Sequence, residues 1–234
     1  SKDNIYLVRE AIEFGQPRDG VFMYMDIDQL KCNIIEDFKE RFYINSDSFN
    51  SDKLLSDNFL VTLIDDYIFI CFLLGNDFIP HIFTLDLRND GLNIIMEAYI
   101  KTYNNLSKNL INNDYTINFD FFKSFICLLS EKEDKIAKTI FEKRKKFRKY
   151  FKIRSTESEF DRRKEVMNNY PILNMEDELN ITNESLYCHD WRKRYYKQCF
   201  NFTRQVETDM VCKKYMEGLL WTFDYYFKGC GSWR

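Results

Sequence analysis

Apolar side chains recur along most of this chain at the three- and four-residue spacing that places them on one face of a helix. One helix is predicted to open at Asp28, a typical N-cap residue, ahead of Leu30, Ile34 and Phe38. The same spacing predicts further helices up to Phe14, from Ser51 or Ser56 to Leu74, from Leu92 to Tyr103, from Phe119 to Leu129, from about Glu131 to Ile153, and over residues 187–204 and 208–228.

Glycine, proline and polar residues mark the predicted ends of these helices. Gly75 follows a segment that is apolar on nearly every face, as in a buried helix, and is predicted to take a left-handed conformation. Pro80 delays the next helix, and Ser130 with Glu133 forms a capping box that predicts a new helix start. Turns are predicted at Gly15, Pro17 and Gly20, a strand or helix lead-in at Val21–Met25, and polar connections at 44–52 and 104–115.

The composition agrees with a mainly α fold that has at most a few short strands. Hydrophobic residues make up 45% of the 234 residues, whereas there are only 7 glycines and 3 prolines, too few for a sheet protein with many turns. Four regions are predicted: a helical part at 1–130, a basic helix at 131–154, an acidic linker or irregular segment at 155–185, and aromatic-rich helices at 186–234.

Charge and cysteine usage narrow the class of protein. No apolar run is long enough to cross a membrane, and no signal-peptide core follows the charged start, so no membrane partner is expected. The 7 cysteines lack a C-x-x-C spacing, which predicts reduced thiols in an intracellular protein rather than a zinc site. The chain has no initiator Met and ends abruptly after an aromatic run, which indicates a fragment of a longer protein.

Asp77 is the leading candidate for chemistry. It follows the buried helix through Gly75 and Asn76, and a carboxylate placed there must face solvent, a cation or a metal ion. The spacing also fits an ordinary acid in a helix-ending turn. Asp65 and Asp66 are adjacent and therefore lie on different helix faces, so one is expected to contact a neighbour while the other is solvated.

Several basic residues have both a structural and a functional interpretation. His81 is expected to brace the turn, and Arg88 to pair with Asp86 or Asp90. Residues 135–154 hold ten Lys or Arg and one acid, with aromatic residues interleaved, which is typical of a solvated helix face and also of a phosphate-binding surface. The candidate contacts with nucleic-acid phosphates are Lys143, Arg144, Lys146 and Arg194, of which Arg194 also suits a structural ion pair.

At Asp65–Ile82 a specific resemblance emerges. The segment DDYIFICFLLGNDFIPHI resembles the Xrn-family pattern of two aspartates, an apolar run and G-N-D-F-L-P-H. LDLRNDG at 85–91 resembles the family's L-x-I-R-E-G, with Asn-Asp in place of the Glu. Further matches follow the family order: YLVRE near the start, RYY at 194–196, YMEGLLW at 215–221, YYFKG at 225–229 and SW at 232–233.

This resemblance implies the helical middle portion of an α/β 5′→3′ exoribonuclease that degrades RNA with a 5′-monophosphate processively. It implies a Mg2+ site (Mn2+ being an alternative ion) built from several carboxylates, of which only Asp77 lies in this chain, so the chain alone is expected to be inactive. Asn76, His81 and Arg88 would support the site, and Trp233 lies near the family's base-stacking position.

Two other classes remain at this stage. A flap-endonuclease-like DNA nuclease would need a helix-hairpin-helix glycine motif soon after Asp77, where the chain instead has Pro80-His81. A non-catalytic helical scaffold or protein-interaction domain would make Asp77 a purely structural residue. The sequence does not distinguish a nuclear from a cytoplasmic protein.

Overall fold

The computed structural model of the chain describes residues 5–13, 16–44, 57–150, 158–161, 163 and 191–232, without the side chains of 13, 16–18, 57–61, 141, 144, 145, 147–150 and 198. These residues form a mainly α fold with one two-stranded sheet. The elements are β1 (Tyr6–Glu13), β2 (Gln16–Asp26), α1 (Ile27–Ile44), α2 (Asp57–Cys71), α3 (Gly91–Leu106), α4 (Phe119–Tyr150), α5 (Trp191–Phe200) and α6 (Gln205–Lys228), with 3-10 turns at Phe72–Leu74 and Leu87–Asn89.

The chain divides into two compact units. Unit 1 comprises Ser1–Cys71 and Asn93–Cys127, and unit 2 comprises Phe72–Leu92 and Leu128–Arg234. Among the described residues, no helix is long and apolar enough to span a membrane. The predicted linker at 155–185 lies almost entirely outside the described ranges, so the four-region division stays a prediction.

In unit 1, the first element is a strand, so the predicted helix up to Phe14 is wrong. β1 pairs antiparallel with β2, from Tyr6 opposite Asp26 to Glu13 opposite Gln16. The turns predicted at Pro17 and Gly20 are also wrong, because both residues lie within β2. Gly20 has a φ of 73°, close to the register shift between β1 and β2, where a residue without Cβ fits most easily. The strand predicted at Val21–Met25 is confirmed.

The hairpin exposes apolar side chains on both faces. Successive residues of a strand point to opposite sides, and the neighbours Leu7 and Val8 are 57% and 47% exposed. The other exposed apolar side chains of this region are Ile5, Tyr6, Ile12, Val21, Phe22, Met23, Tyr24 and Met25. This hairpin has a regular antiparallel ladder but buries little apolar surface, and an isolated two-stranded hairpin is only marginally stable in water.

Asp26 caps α1. Its Oδ1 accepts hydrogen bonds from the backbone N–H groups of Asp28 at 2.9 Å and Gln29 at 3.2 Å. The predicted N-cap at Asp28 is therefore wrong by two residues, because Asp28 already lies in the first helical turn. α2 is described from Asp57, and both predicted starts, Ser51 and Ser56, lie outside the described residues.

Aromatic rings dominate the core of unit 1. The fully buried ring of Phe38 on α1 contacts Tyr67 on α2, with ring centroids 5.9 Å apart, and Tyr99 on α3, at 5.5 Å. Phe42, one helical turn later, meets Tyr103 at 5.2 Å. These edge-on contacts at four-residue spacing fix α1 against α2 and α3. Of the predicted apolar face, Phe38 is buried, whereas Leu30 is exposed.

α4 is one continuous helix, so the predicted start of a new helix at Ser130 is wrong. Asn118 caps the helix, since its Oδ1 accepts from the Phe121 N–H at 3.1 Å. Ser130 and Glu133 lie within the helix. A capping-box pattern identifies a helix start only where the preceding residues leave the helix, and here the apolar positions continue at helical spacing.

In unit 2, α5 packs on the second half of α4. Trp191 is buried with Ala137, and Phe83 and Tyr195 pack against this pair. The Trp191 Nε1–H donates to Asp134 at 2.8 Å, and the Arg192 Nε–H donates to Glu133, also at 2.8 Å. The segment that follows Pro80 is thus held by two helices through the ring of Phe83.

Candidate functional site

A tight turn at residues 75–81 of unit 2 carries the candidate aspartate. The Gly75 N–H donates to the Phe72 carbonyl and the Ile82 N–H to the Leu73 carbonyl, both at 3.0 Å. Gly75 has a φ of 91°, and a Cβ on it would lie 2.9 Å from the backbone nitrogen of His81. Both observations require glycine, and the predicted left-handed conformation is confirmed.

Asn76 closes this turn from inside. Its Oδ1 accepts hydrogen bonds from the N–H groups of Phe78 at 2.9 Å and Ile79 at 3.0 Å, and its own N–H donates to the Ile79 carbonyl at 3.0 Å. Asp77 lies between these bonded positions, so its backbone is held on both sides. The Nδ2 of Asn76 is buried and has no partner among the described residues.

The Asp77 carboxylate points outward. The side chain is exposed, and within the described part of the chain it makes neither a hydrogen bond nor an ion pair. Its backbone is fixed whereas the oxygen lone pairs are available. This combination fits a carboxylate that binds a cation, and it fits equally a solvated acid in a helix-ending turn.

His81 contacts its own turn. Its Nδ1 lies 2.9 Å from the Ile82 carbonyl oxygen, and because that oxygen can only accept, Nδ1 carries the proton. The ring is exposed, and its backbone crowds the site where a Gly75 side chain would be. This contact is consistent with the supporting role expected of His81.

One face of α6 packs along the same turn. The Tyr215 hydroxyl donates to the Pro80 carbonyl at 3.1 Å, and a Cβ on Gly218 would lie 3.2 Å from the Cγ2 of Ile79. The exposed Phe78 ring meets Trp221 and Tyr225 edge-on, with centroids 5.2 Å and 4.9 Å away.

These contacts run in order along both segments, and residues 215, 218, 221 and 225 of α6 recur at the three- and four-residue spacing of one helix face. The segment 215–229 matches the family pattern, but its sequence alone indicated no role for it. The spacing was the signal that could have grouped these residues, although it could not name the turn they contact.

The end of α6 holds the last described residues. Trp221 stacks on Tyr225 at 5.4 Å and donates its Nε1–H to the Ser232 carbonyl at 2.7 Å. Trp233, the candidate for base stacking, lies outside the described residues.

Arg88 lies in the 3-10 turn at Leu87–Asn89, and the expected ion pair with Asp86 or Asp90 is not formed. The Asp86 carboxylate accepts from the Arg88 backbone N–H at 2.9 Å and from the Asn89 amide at 3.0 Å, so it acts as a cap. The Arg88 side chain is exposed and has no partner in the described ranges.

The basic part of α4 reaches this 3-10 turn. The Lys143 ammonium lies 3.5 Å from the Oδ1 of Asn89, and Lys146 is exposed on the same helix. The side chain of Arg144 lies outside the described set. Arg194 on α5 is half-buried and interacts with another residue of the chain, which is consistent with its structural interpretation.

The adjacent acids Asp65 and Asp66 in unit 1 behave differently from Asp77. Asp66 is fully buried and accepts from the Tyr99 hydroxyl at 2.6 Å and from the N–H groups of Leu110 at 2.9 Å and Ile111 at 2.7 Å. Burial raises the pKa of Asp66 to about 7. Asp66 is thus the acid that contacts its neighbours, as expected of one of the pair, whereas Asp65 is half-buried and burial raises its pKa, so it is less solvated than predicted.

The described residues contain no cluster of three or more His, Cys, Asp or Glu side chains that could hold a metal ion by itself. The described part of the chain therefore does not by itself complete a site of several carboxylates. The six cysteines it includes are free thiols.

Known proteins resemble this chain over most of its length. The family model described as the Xrn1 helical domain matches residues 60–187 and 174–234. The 5′-3′ exoribonuclease 2 homolog of Drosophila melanogaster is 25% identical over 208 residues, which cover 73% of this chain and 23% of that protein. The 5′-3′ exoribonuclease 2 of Saccharomyces cerevisiae is 27% identical over 214 residues, covering 90% of this chain and 18% of that protein.

Human 5′-3′ exoribonuclease 1 is 21% identical in an alignment over 265 residues, which covers 97% of this chain and 15% of that protein. The chain thus spans less than a quarter of the length of these relatives. The family model spans well over half of the chain and includes the Gly75–His81 turn and all of α6. The chain therefore belongs to the Xrn family, of which it carries the helical domain.

Proposed function

We propose that this chain is one part of an intracellular 5′→3′ exoribonuclease that hydrolyses RNA bearing a 5′-monophosphate in a Mg2+-dependent, processive reaction. The observation that carries the proposal is the exposed, unpartnered Asp77 carboxylate on a turn whose backbone is bonded on both sides. The names of the relatives supply the reaction class.

In this proposal, Asp77 holds one divalent cation together with carboxylates from other parts of the longer protein. Mg2+ (or Mn2+ in its place) would offset phosphate charge and lower the pKa of a bound water. Asn76 orients Asp77 through the turn, and the Nδ1–H of His81 donates to the Ile82 carbonyl and braces the same turn. Since a single carboxylate does not assemble a two-metal site, the 234-residue chain is inactive alone.

The test is RNA decay by the full-length protein with Asp77→Ala. Loss of one metal ligand should lower the decay rate by at least about a hundredfold, comparable to removal of a single electrostatic stabiliser. Asp19→Ala is the matched control, because Asp19 is also exposed and has no partner among the described residues. Decay by Asp77→Ala at the Asp19→Ala rate would reject the nuclease role of Asp77 and favour the scaffold interpretation.

We also propose that Arg88, Lys143 and Lys146 bind RNA phosphates. The Lys143 contact with Asn89 places the basic stretch of α4 beside the turn that carries Arg88, whose side chain is unpaired in the described set. Cations that contact phosphate release counterions on binding, which makes the affinity fall with salt.

Charge reversal at Lys143 and Lys146 should weaken RNA binding and reduce the slope of log affinity against log salt by about one unit per contact. Lys101→Glu with Lys108→Glu provides a control of equal charge change at exposed positions of unit 1. An unchanged slope in the α4 variant would remove this surface from the RNA path.

A further inference from the structure

The proposed metal ligand has no side-chain support of its own. Asp77 is exposed and unpartnered among the described residues, so the position of its carboxylate depends on the backbone of the turn. Residues before and after Asp77 are therefore as important for its geometry as the aspartate itself. Misplacement of a reacting group by about 1 Å is enough to lower a rate substantially.

The two ends of the turn are fixed in different ways. Backbone hydrogen bonds and the Asn76 side chain fix the first part. Pro80 has no N–H to donate, and its carbonyl instead accepts the Tyr215 hydroxyl at 3.1 Å. Burial raises the pKa of Tyr215 to about 12, so this phenol keeps its proton and stays a donor at neutral pH.

From these contacts we infer that Tyr215, with Gly218 below it on α6, is a positioning residue that sets the Asp77 carboxylate for metal binding. This inference rests on the proposed nuclease function and adds residues that act through the turn. Tyr215 holds the carbonyl of Pro80, and Gly218 sets how closely Ile79 approaches the helix. Together, these contacts hold Ile79 and Pro80, in the second part of the turn, against α6.

Gly218 strengthens the inference because a glycine at this position lowers the stability of α6. A glycine inside a helix destabilises the helix relative to alanine, and α6 extends well to either side of this position. The missing Cβ is what allows Ile79 to come close, since a Cβ there would lie 3.2 Å from the Ile79 Cγ2. The close approach of helix and turn explains a residue that helix formation alone disfavours.

The experiment uses Tyr215→Phe in the full-length protein, which removes one hydroxyl and keeps the ring. Mn2+ binding, measured by calorimetry without RNA, should weaken by about tenfold, as for other groups that orient a metal ligand. The rate constant kcat should fall by a similar factor while KM for RNA is unchanged, because the RNA surface is intact. Tyr43→Phe is the matched control, since Tyr43 is 86% exposed and has no partner among the described residues.

A purely structural role predicts a different result. It would lower the melting temperature of Tyr215→Phe and leave Mn2+ affinity and kcat of the folded protein at the Tyr43→Phe values, and that result overturns the inference. If Tyr215→Phe does not fold, Gly218→Ala decides by the same two measurements, because alanine favours the helix and only the contact with Ile79 opposes it.

Asp77→Asn separates this inference from the function on which it rests. Normal Mn2+ binding and RNA decay by Asp77→Asn reject the proposed function whatever Tyr215 does. Loss of both in Asp77→Asn, with normal values in Tyr215→Phe and Gly218→Ala, rejects the positioning role alone.

Discussion

Two aspartates of this chain, Asp66 in unit 1 and Asp77 in unit 2, have opposite environments. Asp66 is fully buried, and three donors occupy its two oxygens. Asp77 is exposed, and its oxygens have no partner in the described part of the chain. Both belong to the segment that matches one family pattern, so a motif match alone does not separate a structural acid from a candidate metal ligand. The hydrogen bonds of each carboxylate do separate them.

The largest expected effect on stability comes from Asp66→Ala. The substitution leaves the Tyr99 hydroxyl and the N–H groups of Leu110 and Ile111 without their acceptor. Each buried donor left unpaired costs ~1–3 kcal/mol, so the three together should lower the free energy of unfolding by about 3–9 kcal/mol. Urea denaturation measures the change, and Asp77→Ala should lie within about 0.5 kcal/mol of the unsubstituted protein. An equal loss of unfolding free energy in Asp66→Ala and Asp77→Ala would contradict the contrast between the two aspartates.

The pH dependence of stability is the next largest effect. The pKa of Asp66 is about 7 in the folded protein, raised by burial from 3.8. Between these values the folded state holds a proton that the unfolded state releases, so this acid stabilises the fold less as pH rises. At ~1.4 kcal/mol per pKa unit, the contribution falls by up to about 4 kcal/mol between pH 4 and 8.

Asp66→Asn isolates this contribution, since the amide does not titrate. The difference in unfolding free energy between the unsubstituted protein and Asp66→Asn should shrink as pH rises from 4 to 7 and level off above 8. Subtraction also cancels the contributions of acids that titrate alike in both proteins, such as Glu207, whose pKa the Arg204 side chain lowers to about 2. A difference that stays constant with pH would show that Asp66 is ionised throughout.

The smallest effect is expected from Tyr99→Phe, which removes one of the three donors to Asp66 and keeps the buried ring. The loss should be about 1 kcal/mol, the net value of one intramolecular hydrogen bond. Thermal unfolding measures it against Tyr43→Phe, which should change nothing. RNA decay should be the same in both variants, and a loss of decay in Tyr99→Phe would mean that Asp66 also serves the reaction.

The sequence predicted the helices better than the hairpin, for a physical reason. A helix shows its buried face within a few residues, so the periodicity located α1, α3 and α6. β1 instead gains its hydrogen bonds from β2, and its apolar residues are exposed on both faces, so it shows no alternation to identify. Ser130 failed as a helix start because a capping pattern is local, whereas the apolar positions of α4 continue at helical spacing on both sides of Ser130.

The candidate site was predicted in part. Glycine at 75 and the exposed acid at 77 follow from turn chemistry and from the family pattern. The buried bonds of Asp66 and the contact of Tyr215 with Pro80 join residues far apart in the chain, which no local pattern encodes. Arg88 was expected to pair with an acid, but Asp86 is occupied by the turn's own donors.

The most direct test of the contrast between the two aspartates is Mn2+ binding by the full-length protein carrying either Asp77→Asn or Asp66→Asn, measured by calorimetry under conditions in which both are folded. We predict that Asp77→Asn weakens Mn2+ binding by at least about tenfold and leaves the melting temperature unchanged, because a ligand is lost from a turn that keeps its hydrogen bonds. Asp66→Asn should lower the melting temperature and leave Mn2+ binding unchanged. Unchanged Mn2+ affinity in Asp77→Asn would contradict the account.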